Sequence, residues 1–391
     1  MTSTTTKPAV RIHAGSPTAL LAVVPHLLGF APETSMVIIG LEARRGAVKL
    51  TMRYDLPDPS DQELAAGIAE HAVAVLAGQQ LTAAVAVGYG PDDLVRTVAM
   101  ALRDALAPAG ICLAECLRAD NGRYWSYTCN DQACCPDEGT PFDTDGGAEA
   151  AAMAGAGEQV LAGRAAVAAA IAAVTGTEEE AMRRATRQAV RHVTRTLAGV
   201  RESARPGEIR RTIASKGLAA VSGMIGTYRA GGRYSGYYQI AWLAVALTDL
   251  RVRDDAWARM DPGHRAAHLR MWTDVVRHAQ PGYIAAPASL LAFVAWQDGN
   301  GVLANLALDR ALSDTPGYSM ATLLRQVITA GAPPSMARLP LTPDEVAACY
   351  DDMDDDGEDE PAADLREEEE EDGPGGEDDR GDTPARTVTS S

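Results

Sequence analysis

The sequence predicts an α/β domain followed by an all-α half and an acidic tail. Three observations carry that prediction. Apolar runs of strand length alternate with amphipathic segments of helix length as far as Thr128, and only helical periodicity follows. Three cysteines, Cys129, Cys134 and Cys135, are knotted into the loop where the pattern changes. Beyond Tyr350 the chain turns strongly acidic. The organisation read from these features is an α/β domain over 8–141 ending in the Cys-rich loop, an Ala/Gly-rich linker over 142–157, an all-α domain over 158–349 and a disordered acidic tail over 350–391.

A chain of 391 residues has room for two packed domains and a tail. Only 5% of it is aromatic, with three Phe, so the core must be filled by Ala, Leu and Val. No apolar run approaches the roughly 18 residues that cross a bilayer, so no membrane partner is expected. The polar, Thr-rich start from Met1 to Pro8 lacks the charged and apolar blocks of a secretory leader. Six unevenly spaced cysteines do not read as a disulfide framework. Together these features predict a cytoplasmic protein. The formal net charge of −18 sits almost entirely in the tail. Nineteen carboxylates against three arginines give residues 351–391 a charge of −16 and leave −2 for the 350 residues before them.

Val10–His13 reads as a first strand. Ser16-Pro17 supplies a cap and a first-turn proline for a helix through Thr18–Leu28, which Pro25 kinks or ends and Gly29 stops. Ser35–Leu41 is a continuous apolar strand. It pairs most simply with the alternating Val48–Tyr54 across a turn at Arg44-Arg45-Gly46. Ser60 is the predicted cap of a helix over Asp61–Leu76, with Leu64, Ile68, Ala72 and Val75 inward. Ala83–Val87 is a buried strand, and Gly88-Tyr89-Gly90-Pro91 turns it into the helix Asp92–Leu106. Ile111–Leu117 and Arg123–Thr128 form a hairpin across Asn121-Gly122, the strongest short hairpin signal. The resulting order, β-α-β-β-α-β-α-β-β, implies a mixed sheet with helices packed on it. Helices are then predicted at 158–174, 178–200, 207–227, 237–251, 262–278, 286–296, 302–312, 319–329 and 341–349, with no strand after Thr128.

Four stretches are candidates for chemistry. Counting outward from the hairpin turn places Cys112 and Cys116 on the same face as Cys129, with Cys134 and Cys135 in a loop able to fold over it. Cys129, Cys134, Cys135 and Cys112 are therefore candidate ligands for a structural zinc ion. The spacing lacks two Cys-x-x-Cys pairs, and packing as small hydrophobes is the plainer alternative. The second candidate is the set of strand ends at Arg53, Asp55 and Gly88, where α/β sheets gather ligands. It lacks a phosphate-loop lysine, and a tight strand-to-helix turn explains Gly88-Tyr89-Gly90 equally well. The third is the helical face of Arg184, Arg187, Arg191 and Arg195, continued by Arg201 and Arg205, which suits phosphates or simply solvent. The fourth is the run Trp296-Gln297-Asp298-Gly299 to Tyr318-Ser319, similar to half of a tetratricopeptide-like unit, in which Tyr318 plugs a turn. The seven histidines form no metal signature, and no nucleophile elbow is present.

Three stretches in order resemble a known family: Pro25-His26-Leu27-Leu28-Gly29-Phe30 through Ser35-Met36-Val37, Cys134-Cys135-Pro136 with Glu138-Gly139, and Trp296-Gln297-Asp298-Gly299 through Tyr318-Ser319. On these residues the chain resembles the actinobacterial domain of unknown function 4192 over roughly residues 8–334. The resemblance implies an actinobacterial, cytoplasmic protein and supplies no reaction. The leading functional expectation is a non-enzymatic interaction or regulatory protein with another protein as partner, since no catalytic signature is visible. The alternatives are a small-ligand-binding protein or enzyme working at Arg53, Asp55 and Gly88, and nucleic-acid binding through the Arg184–Arg195 face.

Overall fold

The structure, a computed structural model, describes residues 17–42, 46–143, 163–200, 206–332 and 342–356. The predicted strand Val10–His13, the Ser16 cap, the turn at Arg44-Arg45, most of the linker, Arg201 and Arg205, Pro333-Pro334 and the tail beyond Asp356 lie outside the described residues. Residues up to Tyr350 form one compact unit and those from Asp351 a second, of which 351–356 are described as helix.

The first part is a mixed six-stranded sheet with helices on it. In chain order it comprises α1 (Pro17–Leu28), β1 (Ser35–Glu42), β2 (Ala47–Asp55), α2 (Gln62–Gly78), β3 (Ala83–Tyr89), α3 (Asp92–Leu106), β4 (Cys112–Asp120), β5 (Arg123–Ser126) and the two-residue β6 (Thr140–Pro141). The spatial order is β2-β1-β3-β4-β5-β6, antiparallel except for the parallel β3/β4 pair. Pro25 stays inside α1, and Gly29 ends that helix at φ +79°. The predicted hairpin register holds: Asp120 faces Arg123 and Leu117 faces Ser126, with positive φ at both Asn121 (+46°) and Gly122 (+72°).

Both faces of this sheet are covered. Met36, Ile38, Ala84, Ala86 and Cys116 pack under α2 and α3. Val37, Ile39, Val85, Val87 and Leu117 pack under Leu20, Leu21 and Val24 of α1. A continuous apolar run in β1 is what a strand buried on both faces requires.

The second part is helical: α4 (Arg164–Ala170), α5 (Thr177–Val200), α6 (Pro206–Arg229), α7 (Tyr237–Ala246), α8 (Leu250–Ala258), a 3-10 turn at Pro262–His264, α9 (Arg265–His278), α10 (Ala285–Gln297), α11 (Gly301–Asp314), α12 (Ser319–Thr329) and α13 (Pro343–Asp356). Every residue of α10 from Ala285 to Trp296 is buried, as befits a helix apolar on all sides. It is enclosed by α9, α11 and α12. Asp314 closes its N-terminus, accepting from the backbone N–H groups of Gly282, Ile284 and Ala285 at 2.7–3.1 Å. The two parts share a core, because Val167 of α4 and Val302, Leu303 and Leu306 of α11 pack into the cluster beneath α1.

Four expectations are corrected. The cap of α2 is Asp61, whose carboxylate accepts from the Leu64 N–H at 3.0 Å, while Ser60 turns its hydroxyl to Asp58. Leu64 is exposed, and the inner face of α2 runs through Ala65, Ile68, Ala69, Ala72, Val75 and Leu76. The helix predicted over 237–251 is two helices, because Asp249 caps a new start with bonds to the Arg251 and Val252 N–H groups. A strand does follow Thr128: Thr140 pairs with Tyr124 and Pro141 with Arg123.

One buried side chain makes the helical part pH-sensitive. His268 on α9 is 1% exposed. Burial, aided by the charges of Arg229 and His264 and opposed by Asp261, pushes its pKa down to about 4. The unfolded chain protonates this ring near about 6.5, so its contribution to stability is complete above that pH and is lost as pH falls toward about 4. We expect the urea midpoint to drop between pH 7.5 and 4.5, with on the order of 2 kcal/mol of that loss absent in His268→Leu. Parallel declines in the two proteins would remove His268 from the account.

Candidate functional site

The cavity of interest lies along β2, the edge strand of the sheet. Consecutive residues from Leu50 to Asp55 line it, with about 460 Å³ of space. Residues of both parities reach it because an edge strand presents its side as well as its faces. The opposite walls come from α2, from Leu27 and Leu28 of α1, and from α4, α11 and α12. Two hydrogen bonds fix α2 against the end of α12. His71 Nε2 lies 2.8 Å from the Thr329 carbonyl oxygen, and Gln79 Nε2 donates to the Gly331 carbonyl at 3.0 Å. Gly331 itself admits the approach, since a Cβ there would stand 2.2 Å from Val75 Cγ1.

Three guanidinium groups from three elements face this space. Arg53 of β2 is largely covered, its side chain 12% exposed. It donates to Asp55 at 2.6 Å, and its buried Nε has no partner. Arg325 of α12 donates to Asp309 at 2.6 Å and to the Asn305 side chain at 3.2 Å. Arg164 of α4 reaches the same Asp309 at 3.8 Å. Three cations thus share two carboxylates, Asp55 and Asp309, leaving the cavity positive. Apolar walls from Leu28, Met52, Val75 and Ile328 complete it.

Tyr54 and His71 make up a polar chain at the cavity wall. A carbonyl oxygen can only accept, so the bond to Thr329 puts the His71 proton on Nε2. In that tautomer Nδ1 accepts from the Tyr54 hydroxyl at 2.7 Å. Burial holds the Tyr54 phenol well above its ordinary pKa, so it stays protonated as the donor.

The cysteine loop is at the other edge of the sheet. Cys129, Cys134 and Cys135 converge, with their sulfur atoms within 4.8 Å of one another. Ser126 accepts from the N–H groups of Thr128 and Cys129 at 3.2 and 3.0 Å, and itself donates to Glu115 at 2.8 Å. Thr128 also donates to Glu115. The Asp131 carbonyl accepts from Cys134 and Cys135. The far end of the loop is tied to β5: Trp125 Nε1 donates to the Asp137 carbonyl at 3.0 Å and Arg123 to that of Gly139 at 2.7 Å. Gly139, at φ +77°, lies so close to the Trp125 ring that a Cβ would stand 2.5 Å from it. Arg118 stacks over the Trp125 ring at 3.5 Å and pairs with Asp92 and Asp120. Burial works to raise the Asp92 pKa, but hydrogen bonds from Arg96 and Tyr127 and the Arg118 charge outweigh it and hold the carboxyl below the usual range. Desolvation, with the neighbouring sulfurs, pushes the Cys135 thiol up to about 12.

The structure separates residues that the sequence had grouped. Cys112 is exposed and outside the sulfur cluster, while Cys116 is buried under α2 and α3. The cause is a bulge in β4. Ala84 pairs with Leu113 but Val85 with Glu115, so Ala114 is an extra residue and the alternation of faces inverts there. Cys112 and Cys116 consequently point to opposite faces. Arg53 and Asp55 line the cavity, whereas Gly88 does not. A Cβ at Gly88 would stand 2.1 Å from Val95 Cγ1, so this glycine serves the packing of α3 on β3. Arg184, Arg187, Arg191 and Arg195 are exposed on α5, where Arg183 and Arg184 pair with Glu179 and Glu180. Tyr318 packs on the helical core at its turn, beneath Arg253. His71, Arg164, Asn305 and Arg325 were not singled out by the sequence, and Asp309 stood out only as part of the family-like run from Trp296 to Ser319, because no local spacing links residues up to 258 positions apart.

A family model described as Domain of unknown function (DUF4192) matches residues 17–335, and the chain belongs to that family. No curated protein and no solved structure matches the chain.

The His71 bridge is the join that closes the cavity. His71→Ala should cost about 1–2 kcal/mol of stability. Its signature is faster amide exchange confined to the end of α12 and the facing turns of α2; uniform loosening of the whole chain would argue against a local clasp.

Proposed function

We propose that this member of the family is a cytoplasmic binding protein for a small anionic molecule, held in the cavity along β2. The observation that carries the reading is the convergence of Arg53, Arg164 and Arg325 on one space with only Asp55 and Asp309 to share between them. A guanidinium presents a planar fork of donors that matches a carboxylate or phosphate. The unpartnered Nε of Arg53 is such a donor, already desolvated and held in place. The volume of about 460 Å³ is that of a small-molecule site, and its mixture of apolar wall and charged groups suits a ligand with an acidic group on an apolar body. Binding of this kind serves a regulatory protein, the bound molecule stiffening the join between sheet and helices where His71 meets Thr329. The cysteine usage of the chain suits a reducing compartment. The arginine face of α5 supports nucleic-acid binding less well, because glutamates at its start neutralise part of it. The actinobacterial source and the disordered acidic tail rest on the sequence reading alone.

The test is a thermal-shift and calorimetric screen of small carboxylates and phosphate esters, with mass spectrometry of whatever a denatured preparation releases. We expect an acidic compound that stabilises the protein, by about 2.7 kcal/mol at a hundredfold excess over its Kd. Arg53→Gln and Arg325→Gln should each weaken that compound about tenfold or more while leaving the unliganded protein folded. Compounds whose effect is identical in the wild type and both variants would place binding elsewhere.

A further inference from the structure

We propose that Cys129, Cys134 and Cys135 form a three-thiolate site for a soft, closed-shell metal cation, open at its remaining coordination position. The three sulfurs lie within 4.8 Å of one another. Thiolates about 2.3 Å from a common ion stand roughly 3.8–4.0 Å apart. Closing on an ion therefore asks for shifts of about an ångström or less, within reach of small side-chain rotations.

The backbone needs no rearrangement. Cys129 N–H is held by Ser126 Oγ at 3.0 Å, and Cys134 and Cys135 N–H are both held by the Asp131 carbonyl at 3.1 and 2.7 Å. Asp131 Oδ1 accepts from the Ala133 N–H at 2.9 Å and completes the turn. Consecutive residues normally diverge. Here the turn that opens at Asp131 leaves the adjacent sulfurs of Cys134 and Cys135 within 4.8 Å of each other and of that of Cys129. Ser126 is in turn held by Glu115, and the loop beyond Pro136 by Trp125 and Arg123. These bonds fix the backbone of the loop that carries the three sulfurs.

The number of donors narrows the metal. Among the described residues no fourth Cys, His, Asp or Glu belongs to the group, and the β4 bulge turns Cys112 away. A closed zinc site takes four protein ligands, whereas sites with three keep a position for an exchangeable group. Three sulfurs and no hard donor select a soft ion, Cu(I) in trigonal coordination or Zn(II) completed by water or a small thiol. Cys134 is exposed and Cys129 and Cys135 are half-buried, so the open position faces solvent. The ion displaces the thiol protons, which leave to solvent. This site is independent of the β2 cavity, at the opposite edge of the sheet.

The experiment uses the full chain, reduced and stripped of metal, titrated separately with Zn(II) and with Cu(I) against a chromophoric competitor. Cysteine alkylation read by peptide mass spectrometry is the second measurement. One equivalent of at least one ion should bind and protect Cys129, Cys134 and Cys135, while Cys112 and Cys349 react as before. The ion that wins at equal free concentration identifies the metal. Cys134→Ser should weaken binding about tenfold or more, since loss of a ligand costs at least as much as loss of a supporting hydrogen bond. Cys112→Ser should bind as the wild type does. Failure of both ions to protect the three thiols overturns the site, as does a Cys112→Ser variant as weak as Cys134→Ser. Should Cys134→Ser not fold, the alkylation pattern of the wild type decides alone.

Discussion

The rest of this structure depends on the burial of β1 and β3 on both faces. Every residue of β1 from Ser35 to Leu41 is buried, as are those of β3 from Ala84 to Gly88. Such strands are stable only between two apolar layers. The first layer, α2 and α3, follows directly from the chain order. The second is incomplete when only α1 supplies it. Val167 of α4 and Val302, Leu303 and Leu306 of α11 extend the cover, so the helical part is also the wall of the sheet's core.

The cavity arises from the same requirement. Covering the edge of β2 brings α12 against α2, and the His71 and Gln79 bonds set their spacing. Straight helices cannot follow a strand edge along its whole length, and the space left over is lined by what each element happens to present there. Arginines on three elements would repel one another in a closed core. They are tolerated because Asp55 and Asp309 pair with them and because the space stays open. The helical part keeps its own buried polar groups matched in a similar way. Asp274 accepts from Tyr228 at 2.6 Å and takes the fork of Arg233 at 2.6 and 3.1 Å. Asp314 caps α10, and α10 supports α11 and α12. Satisfied polar groups of this kind hold helices in fixed relative positions, which a ligand site assembled from several of them needs.

The cysteine loop shows how local geometry can mislead a reading that is correct in most respects. The hairpin register was legible, because Asn121-Gly122 admits only a tight turn with positive φ at both residues. The count from that turn correctly placed Asp120 against Arg123. The count fails at Ala114, where one extra residue in β4 inverts the faces and parts Cys112 from Cys116. Nothing in the residues around Ala114 announces a bulge, which is settled by the packing of Leu113 and Cys116 into one cluster with α2 and α3.

What the sequence determined by itself was therefore whatever depends on near neighbours. The amphipathic period of α3 and α12, the two-faced run of β1, the closed hairpin and the change from mixed sheet to helix all follow from residues a few positions apart. Arg53 and Asp55 could be nominated because strand ends are where such sheets gather ligands. Tertiary structure alone decided which residues join them. Arg164, Asp309 and Arg325 come from three helices far along the chain: α4 and α11 reach β2 as part of the second apolar layer of the sheet, and α12 is brought there by α11 and by the His71–Thr329 bond to α2. It likewise decided that Gly88 belongs to packing and that three sulfurs, not four, converge, since both outcomes turn on backbone spacings of an ångström or two that no residue pattern encodes.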